Sequence, residues 1–143
     1  MPTGLPVSYA LARRAVLAGL ARGQISAAEV CDAHPDLLRA ARYYGEATDV
    51  RCPICRQERL TRVTYAYGDE LQHASGRARP SRTLPALAAR FTRIRIYEVE
   101  VCRSCRWNHL TDTFLIGTGV DADRKSDPDT GPDARTRPPS APP

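Results

Sequence analysis

The sequence carries Cys52-Pro53-Ile54-Cys55 and, after a gap of 46 residues, Cys102-Arg103-Ser104-Cys105. Two residues between thiolates allow a tight turn that brings both sulfurs to one metal ion, while turn amides donate hydrogen bonds to them. Two such turns complete a tetrahedral S₄ shell, which zinc favours and iron–sulfur clusters also use. Zinc is the expected ion, with an iron–sulfur cluster and redox-active thiols as the alternatives that spacing leaves open. The gap exceeds the common spacing between such pairs, so the fold must bring the two turns together. Any architecture for this chain has to meet that condition.

For a chain of this size, metal or disulfide is the first question. With 143 residues and 15.8 kDa the chain has little surface to bury, and small domains commonly depend on a metal or on disulfides. Disulfides are disfavoured, because the start, Met1-Pro2-Thr3-Gly4-Leu5, lacks the charged and then apolar regions of a secretory signal. No apolar run approaches the roughly 20 residues of a membrane span. The expectation is a soluble, cytoplasmic chain with no membrane partner.

Strand patterns explain how the turns could meet. From Arg59 to Tyr67, Val63, Tyr65 and Tyr67 alternate with Arg62, Thr64 and Ala66, and Gly68 ends the run. A second strand is expected from about Arg93 to Val101. Ile94 and Ile96 lie on one face but Tyr97, Val99 and Val101 on the other, which predicts a bulge. A third strand, about Leu110 to Ile116, follows the second turn, and Gly117 ends it. An antiparallel sheet of these strands places both cysteine turns at one end. Between the first two strands lie a turn-rich basic loop, His73 to Arg82, and a short helix around Leu84 to Phe91.

The first fifty residues read as three short helices. Ser8 can cap a helix containing Tyr9, Ala12, Val16, Leu17 and Leu20, with Gly23 as its stop. Ser26-Ala27-Ala28-Glu29 is a capping box, Ile25 can staple onto Val30, and this helix should end near Ala33. Pro35 and Asp36 suit the first turn of a third helix, whose Leu37, Ala40, Ala41 and Tyr44 share a face and which Gly45 ends. The bland reading is a helical platform. The sharper one is a helix-turn-helix with Arg39 and Arg42 on DNA phosphates, against which stands the absence of a basic excess in this segment.

Charge is segregated along the chain. Lys+Arg number 21 and Asp+Glu 16, a net charge of +5. Residues 1–50 sum to zero, residues 51–117 to +6 and residues 118–143 to −1. In the last segment aliphatic residues nearly vanish and six prolines fall at 128, 132, 138, 139, 142 and 143, a composition too poor in apolar area to offset its ordering entropy. A disordered tail is expected there.

Candidate residues follow from these patterns. Cys52, Cys55, Cys102 and Cys105 are the metal ligands. Arg51, Arg56, Arg103 and Arg106 flank them, either offsetting the thiolate charge and pairing with nearby acids or binding phosphate. Arg77, Arg79 and Arg82 of the basic loop, with Arg106 and Trp107, are the candidate nucleic-acid or partner contacts; burial in the core is the competing role for Trp107. Cys31 reads as a small buried hydrophobe, with a fifth-ligand or reactive-thiol role as the alternative. His109 reads as a surface or strand-start residue, since four thiolates complete the shell without it. His34 and His73 read as structural or solvent-facing. A zinc with four protein ligands has no vacant position for activating water, and neither a nucleophilic triad, a Gly-rich phosphate loop nor a paired-carboxylate motif is present. Glu70-Leu71-Gln72-His73 could put an acid and an imidazole on one helical face, a spacing common by chance. The expectation is a protein that is not an enzyme.

Ser8-Tyr9-Ala10-Leu11-Ala12-Arg13-Arg14, Val30-Cys31-Asp32-Ala33, Leu38-Arg39-Ala40-Ala41, the first cysteine pair and Cys102-Arg103-Ser104-Cys105-Arg106-Trp107-Asn108-His109-Leu110 together resemble a family of small actinobacterial proteins of unknown function, over about residues 8–117. That family supplies no activity. The paired turns are similar to zinc ribbons generally, and this wider resemblance implies a structural zinc and a role in binding nucleic acid, RNA polymerase or the ribosome.

The expected molecule is an α+β protein: a helical segment over 1–49, a zinc-ribbon-like antiparallel sheet with a basic loop and short helix over 50–117, and a disordered tail over 118–143. Its expected function is a binding module, with a zinc–thiolate redox sensor as the alternative. Oligomeric state is left open.

Overall fold

A computed structural model describes residues 6–120. Alternating apolar side chains make β3 (Arg59–Tyr67) and β5 (Ile94–Val101) its central strands. They pair antiparallel, from Thr61 opposite Val101 to Tyr67 opposite Arg95. β6 (Asn108–Ile116) pairs with the other side of β5, and β1 (Val7–Ser8) pairs with β6. Along the free side of β3, β2 (Glu46–Arg51) takes the first half and β4 (Arg77–Arg79) the second. The sheet is six-stranded and antiparallel, in the order β1, β6, β5, β3, β2, with β4 also on β3.

Both faces of this sheet are covered. On one, Val63, Tyr65, Tyr97, Val99, Val101 and Leu110 pack against Leu37, Ala40 and Ala41 of α3 (Pro35–Tyr44). On the other, Ala66, Ile94, Ile96 and Ile116 pack against Leu84, Leu87 and Ala88 of α4 (Leu84–Arg90). Each large aliphatic side chain so buried contributes about 1.5–3 kcal/mol. This two-sided cover explains the change of phase along β5, because its first half serves the α4 face and its second half the α3 face. β5 is regular against β3, so the expected bulge is not its own. The register shifts between Glu98 and Val99 on the β6 side, where Thr111 of β6 is the extra residue.

The helical starts and stops are locally encoded. α1 (Ala10–Ala21) begins beside Ser8, whose hydroxyl accepts from the Ala10 N–H at 3.2 Å, and ends before Gly23 at φ +76°. In the capping box, the Ser26 N–H donates to Glu29 at 2.9 Å. The helix it starts, α2 (Ala27–Val30), is a single turn that stops short of Ala33. His34 has a structural role: its Nδ1 accepts from the Asp36 N–H at 3.0 Å, capping α3 ahead of Pro35. Tyr44, expected on the buried face, is 46% exposed, since it is the last helical residue before the chain turns into β2.

The three helices do not share a core. Val16 of α1 and Val30 of α2 join the cluster around the cysteines, whereas α3 lies on the sheet. A helix-turn-helix needs its helices packed on one another, so that reading is withdrawn. The basic loop is also more ordered than its sequence suggests. It is entered by 3₁₀ turns within Asp69–Ala74 that are broken at Gln72, φ +53°, and it contains strand β4 and a further 3₁₀ turn over Ser81–Thr83, with the Ser81 hydroxyl donating to Glu46 at 2.5 Å.

The segment boundary drawn at 49/50 falls inside β2, and β1 carries the N-terminal segment into the sheet. The tail expected over 118–143 lies, from residue 121 onward, outside the described residues. Among the described residues no helix is long and apolar enough to cross a membrane.

Candidate metal centre

Each cysteine pair occupies a hairpin end. The first turn joins β2 to β3, with Arg51 opposite Arg59, and the second joins β5 to β6, with Val101 opposite Asn108. Because Thr61 lies opposite Val101, the two hairpin ends sit side by side. The turns are built alike. The Cys52 N–H donates to the Glu58 carbonyl at 2.8 Å and the Arg56 N–H to the Cys52 carbonyl at 3.1 Å. Their counterparts are Cys102 to Trp107 at 2.8 Å and Arg106 to Cys102 at 3.0 Å. The residue after each second cysteine is left-handed, Arg56 at φ +57° and Arg106 at φ +75°.

This geometry converges the sulfurs. The Sγ atoms of Cys52, Cys55, Cys102 and Cys105 all lie within 4.8 Å of one another. Cys52 to Cys105 is 3.5 Å and Cys55 to Cys102 is 3.7 Å. A tetrahedron with metal–sulfur bonds of about 2.3 Å has edges of about 3.8 Å, so these four sulfurs fit the shell of one thiophilic ion. Backbone amides support them: the Ile54 N–H donates to Cys52 and the Cys105 N–H to Cys102, both at 3.3 Å.

Burial and backbone donors set the cysteines apart electrostatically. Burial pushes the Cys52 thiol up to about 12 and the Cys105 thiol up to about 12. Cys55 goes the other way, down to about 7, because the backbone N–H groups of Glu58 and Gln57 donate to its sulfur. A cation placed among these sulfurs would favour their thiolate forms.

Helices and sheet close over this centre. Val16, Leu60 and Trp107 form one cluster with Cys52 and Cys102, and Leu17, Leu20 and Ile25 pack on it. Polar ties hold the N-terminal segment in place. The Ala33 N–H donates to the Arg106 carbonyl at 3.1 Å, and the Asn108 amide donates to Asp32 at 2.9 Å. These two ties carry no sequence signature, since each joins residues far apart in the chain.

The sequence-derived candidates now have places. Trp107 is fully buried, stacks on His109 at 5.9 Å and donates its indole N–H to Glu100 at 2.7 Å. It offers no face to a base, which corrects its assignment as a binding residue. His109 is a strand residue but a buried one, its Nδ1 2.6 Å from the Leu110 carbonyl, and it stands outside the ligand set. Arg77 and Arg82 are exposed and Arg79 is half-buried. Arg77 and Arg79 lie on β4 against the half of β3 remote from the cysteines, Arg82 follows Ser81, which reaches Glu46, and Arg106 is exposed at the metal end. Glu70 serves the backbone, accepting from the Thr92 and Arg93 N–H groups at 3.0 Å, which holds its carboxyl below the usual range.

Two arrangements escape sequence reasoning. The Cys31 sulfur lies 3.7 Å from that of Cys105, half-buried beside the centre; spacing gave no signal for this because tertiary packing of α2 delivers it. Arg39 and Arg42 of α3 share a cleft with Arg103 of the second turn. Each was visible singly in the sequence, but their meeting was not.

No solved structure matches the chain. Uncharacterized protein Rv0049 of Mycobacterium tuberculosis and Uncharacterized protein Mb0050 of Mycobacterium bovis are each 46% identical over 111 residues, which is 78% of this chain and 81% of each relative. Over residues 5–130 the sequence matches the model of a family of unknown function, DUF5318. With its sulfur cluster at the joined hairpin ends, the chain belongs to that family.

Proposed function

We propose that this protein is a non-catalytic, zinc-stabilised binding module whose partner is nucleic acid, met free or within the ribosome or RNA polymerase in the cytoplasm. The four thiols select a soft divalent ion of tetrahedral preference, and zinc meets that description. Zinc there supplies structure, with all four positions taken by protein.

The observation that carries the reading is the state of the arginines around the centre. Arg51, Arg56, Arg103 and Arg106 are all exposed, and none forms an ion pair among the described residues. Four thiolates around one Zn²⁺ carry a formal charge of −2, which four arginines exceed, and among the described residues no carboxylate pairs with them. Left open to solvent, they present a positive field at the metal end. The test is affinity capture from native lysate with and without nuclease, joined to titration of labelled oligonucleotides across a salt series. Binding whose logarithm falls linearly with the logarithm of salt supports the reading. Flat or absent binding overturns it.

Cys31 favours a second reading, a zinc–thiolate redox sensor. A hydroperoxide would oxidise the Cys105 sulfur to a sulfenic acid, releasing an alcohol or water. The Cys31 thiol, 3.7 Å away, would then displace water to form a disulfide, removing one ligand from the metal. Peroxide treatment that releases zinc and links Cys31 to Cys105 in peptide mapping supports it; retained zinc rejects it.

A further inference from the structure

Leu38, Arg39, Arg42 and Tyr43 of α3 and Arg103 of the second cysteine turn line a cleft of about 360 Å³. Three of these five residues are guanidinium-bearing. Arg39 is engaged by Asp36 at 3.1 Å, but neither Arg42 nor Arg103 forms an ion pair among the described residues. Arg42 lies 5.4 Å from the centre of the Tyr43 ring, and Tyr43 is nonetheless 64% exposed. Exposing an aromatic ring this far wastes apolar area that the core could use, and its neighbours here are cations.

We infer that this cleft binds single-stranded nucleic acid, with Arg42 and Arg103 on phosphates and the Tyr43 ring against a base. The inference rests on the nucleic-acid reading above and gives it a location. Two features select the ligand. Two guanidinium groups without ion pairs among the described residues, one from α3 and one from the second cysteine turn, suit a chain of phosphates. An exposed aromatic ring flanked by a guanidinium is a stacking platform that any base can use. The exposed ring favours a single strand, whose bases are open to stacking. A base inside a duplex would also have to leave its stack to reach Tyr43, whereas one in a single strand is free to do so.

The test uses the full-length, zinc-loaded protein and a fluorescein-labelled 12-nucleotide oligouridine, read by anisotropy from low to moderate salt. The Arg42→Ala/Arg103→Ala variant should lower the salt slope by about 0.7 log units per lost phosphate contact. Tyr43→Ala should weaken binding roughly 5- to 150-fold with the slope unchanged, and Tyr43→Phe should restore it. All three side chains are exposed, and circular dichroism with zinc content verifies that each variant is folded. Arg77→Ala/Arg82→Ala, the reference, removes the competing basic-loop location and should keep the wild-type slope if the cleft is the site. Loss of slope in that reference with the cleft variants unaffected overturns the location but leaves the nucleic-acid reading standing. No binding by the wild type overturns both. Equal affinity for a blunt 12-base-pair duplex overturns the single-strand assignment, and equal, cleft-dependent affinity for a polyglutamate peptide overturns the choice of nucleic acid.

Discussion

The Trp107 indole N–H and Glu100 meet at 2.7 Å beneath α1, and the Arg13 Nε reaches the same carboxylate oxygen at 2.7 Å. One acid from β5 thus satisfies the largest side chain of the metal-end core and fastens the helix that covers it. Glu100→Ala leaves a fully buried indole N–H without an acceptor, at a cost of about 1–3 kcal/mol. Glu100→Gln keeps an acceptor and should lose less. Urea denaturation followed by Trp107 fluorescence measures both, and equal stability of all three proteins would show the contact to be idle.

Removing one ligand should have a disproportionate effect. Structural zinc sites supply on the order of 10–16 kcal/mol in zinc-finger peptides, comparable to the whole stability of an ordinary domain, about 5–15 kcal/mol. Cys52→Ser should therefore lose the metal and unfold the hairpin ends, and a chelator should do the same to the wild type. Cys31→Ser should keep both metal and melting temperature. A Cys52→Ser protein melting like wild type would refute a structural role for the centre.

The left-handed arginines store strain. Holding a non-glycine residue at φ +75° costs about 1–2 kcal/mol, partly offset by the extra entropy that glycine loses on folding, about 0.4–1 kcal/mol. Arg106→Gly should then gain about 0.5–1 kcal/mol in chemical denaturation. Gly117→Ala should do the opposite, since at φ +136° its added carbon would lie 2.2 Å from the Thr92 carbonyl oxygen.

Acid should affect the sheet in an unusual direction. Burial raises the Glu98 carboxyl above its ordinary 4.5, with Asp112 and Glu46 adding to the rise and Arg62 opposing it. Burial likewise raises Asp112 above 3.8, against a Thr111 hydrogen bond and Arg62. Folded chains therefore hold these protons more tightly than unfolded ones, so their contribution to stability falls as pH rises through the window that opens at those ordinary values. Glu98→Gln should be more stable than wild type at neutral pH, with the gain disappearing below 4.5. An unchanged difference across a pH series of urea melts would count against this linkage.

Local chemistry by itself marked the two cysteine turns, strand β3, helix α4, the capping box at Ser26 and the proline start of α3, because each depends on periodicity, cap geometry or short spacing within a few residues. Tertiary structure decided the edges and the meetings. β2 reads Glu-Ala-Thr-Asp-Val-Arg and is mostly exposed, so no apolar alternation announces it; it becomes a strand because β3 offers unpaired backbone groups. The same holds for β1 and β4, each only two or three residues long. Hydrophobic pattern records which residues are buried, and it is silent on which buried or exposed groups from distant segments touch. That silence covers Cys31 beside Cys105, Trp107 upon Glu100, and the Arg42 and Arg103 walls of one cleft.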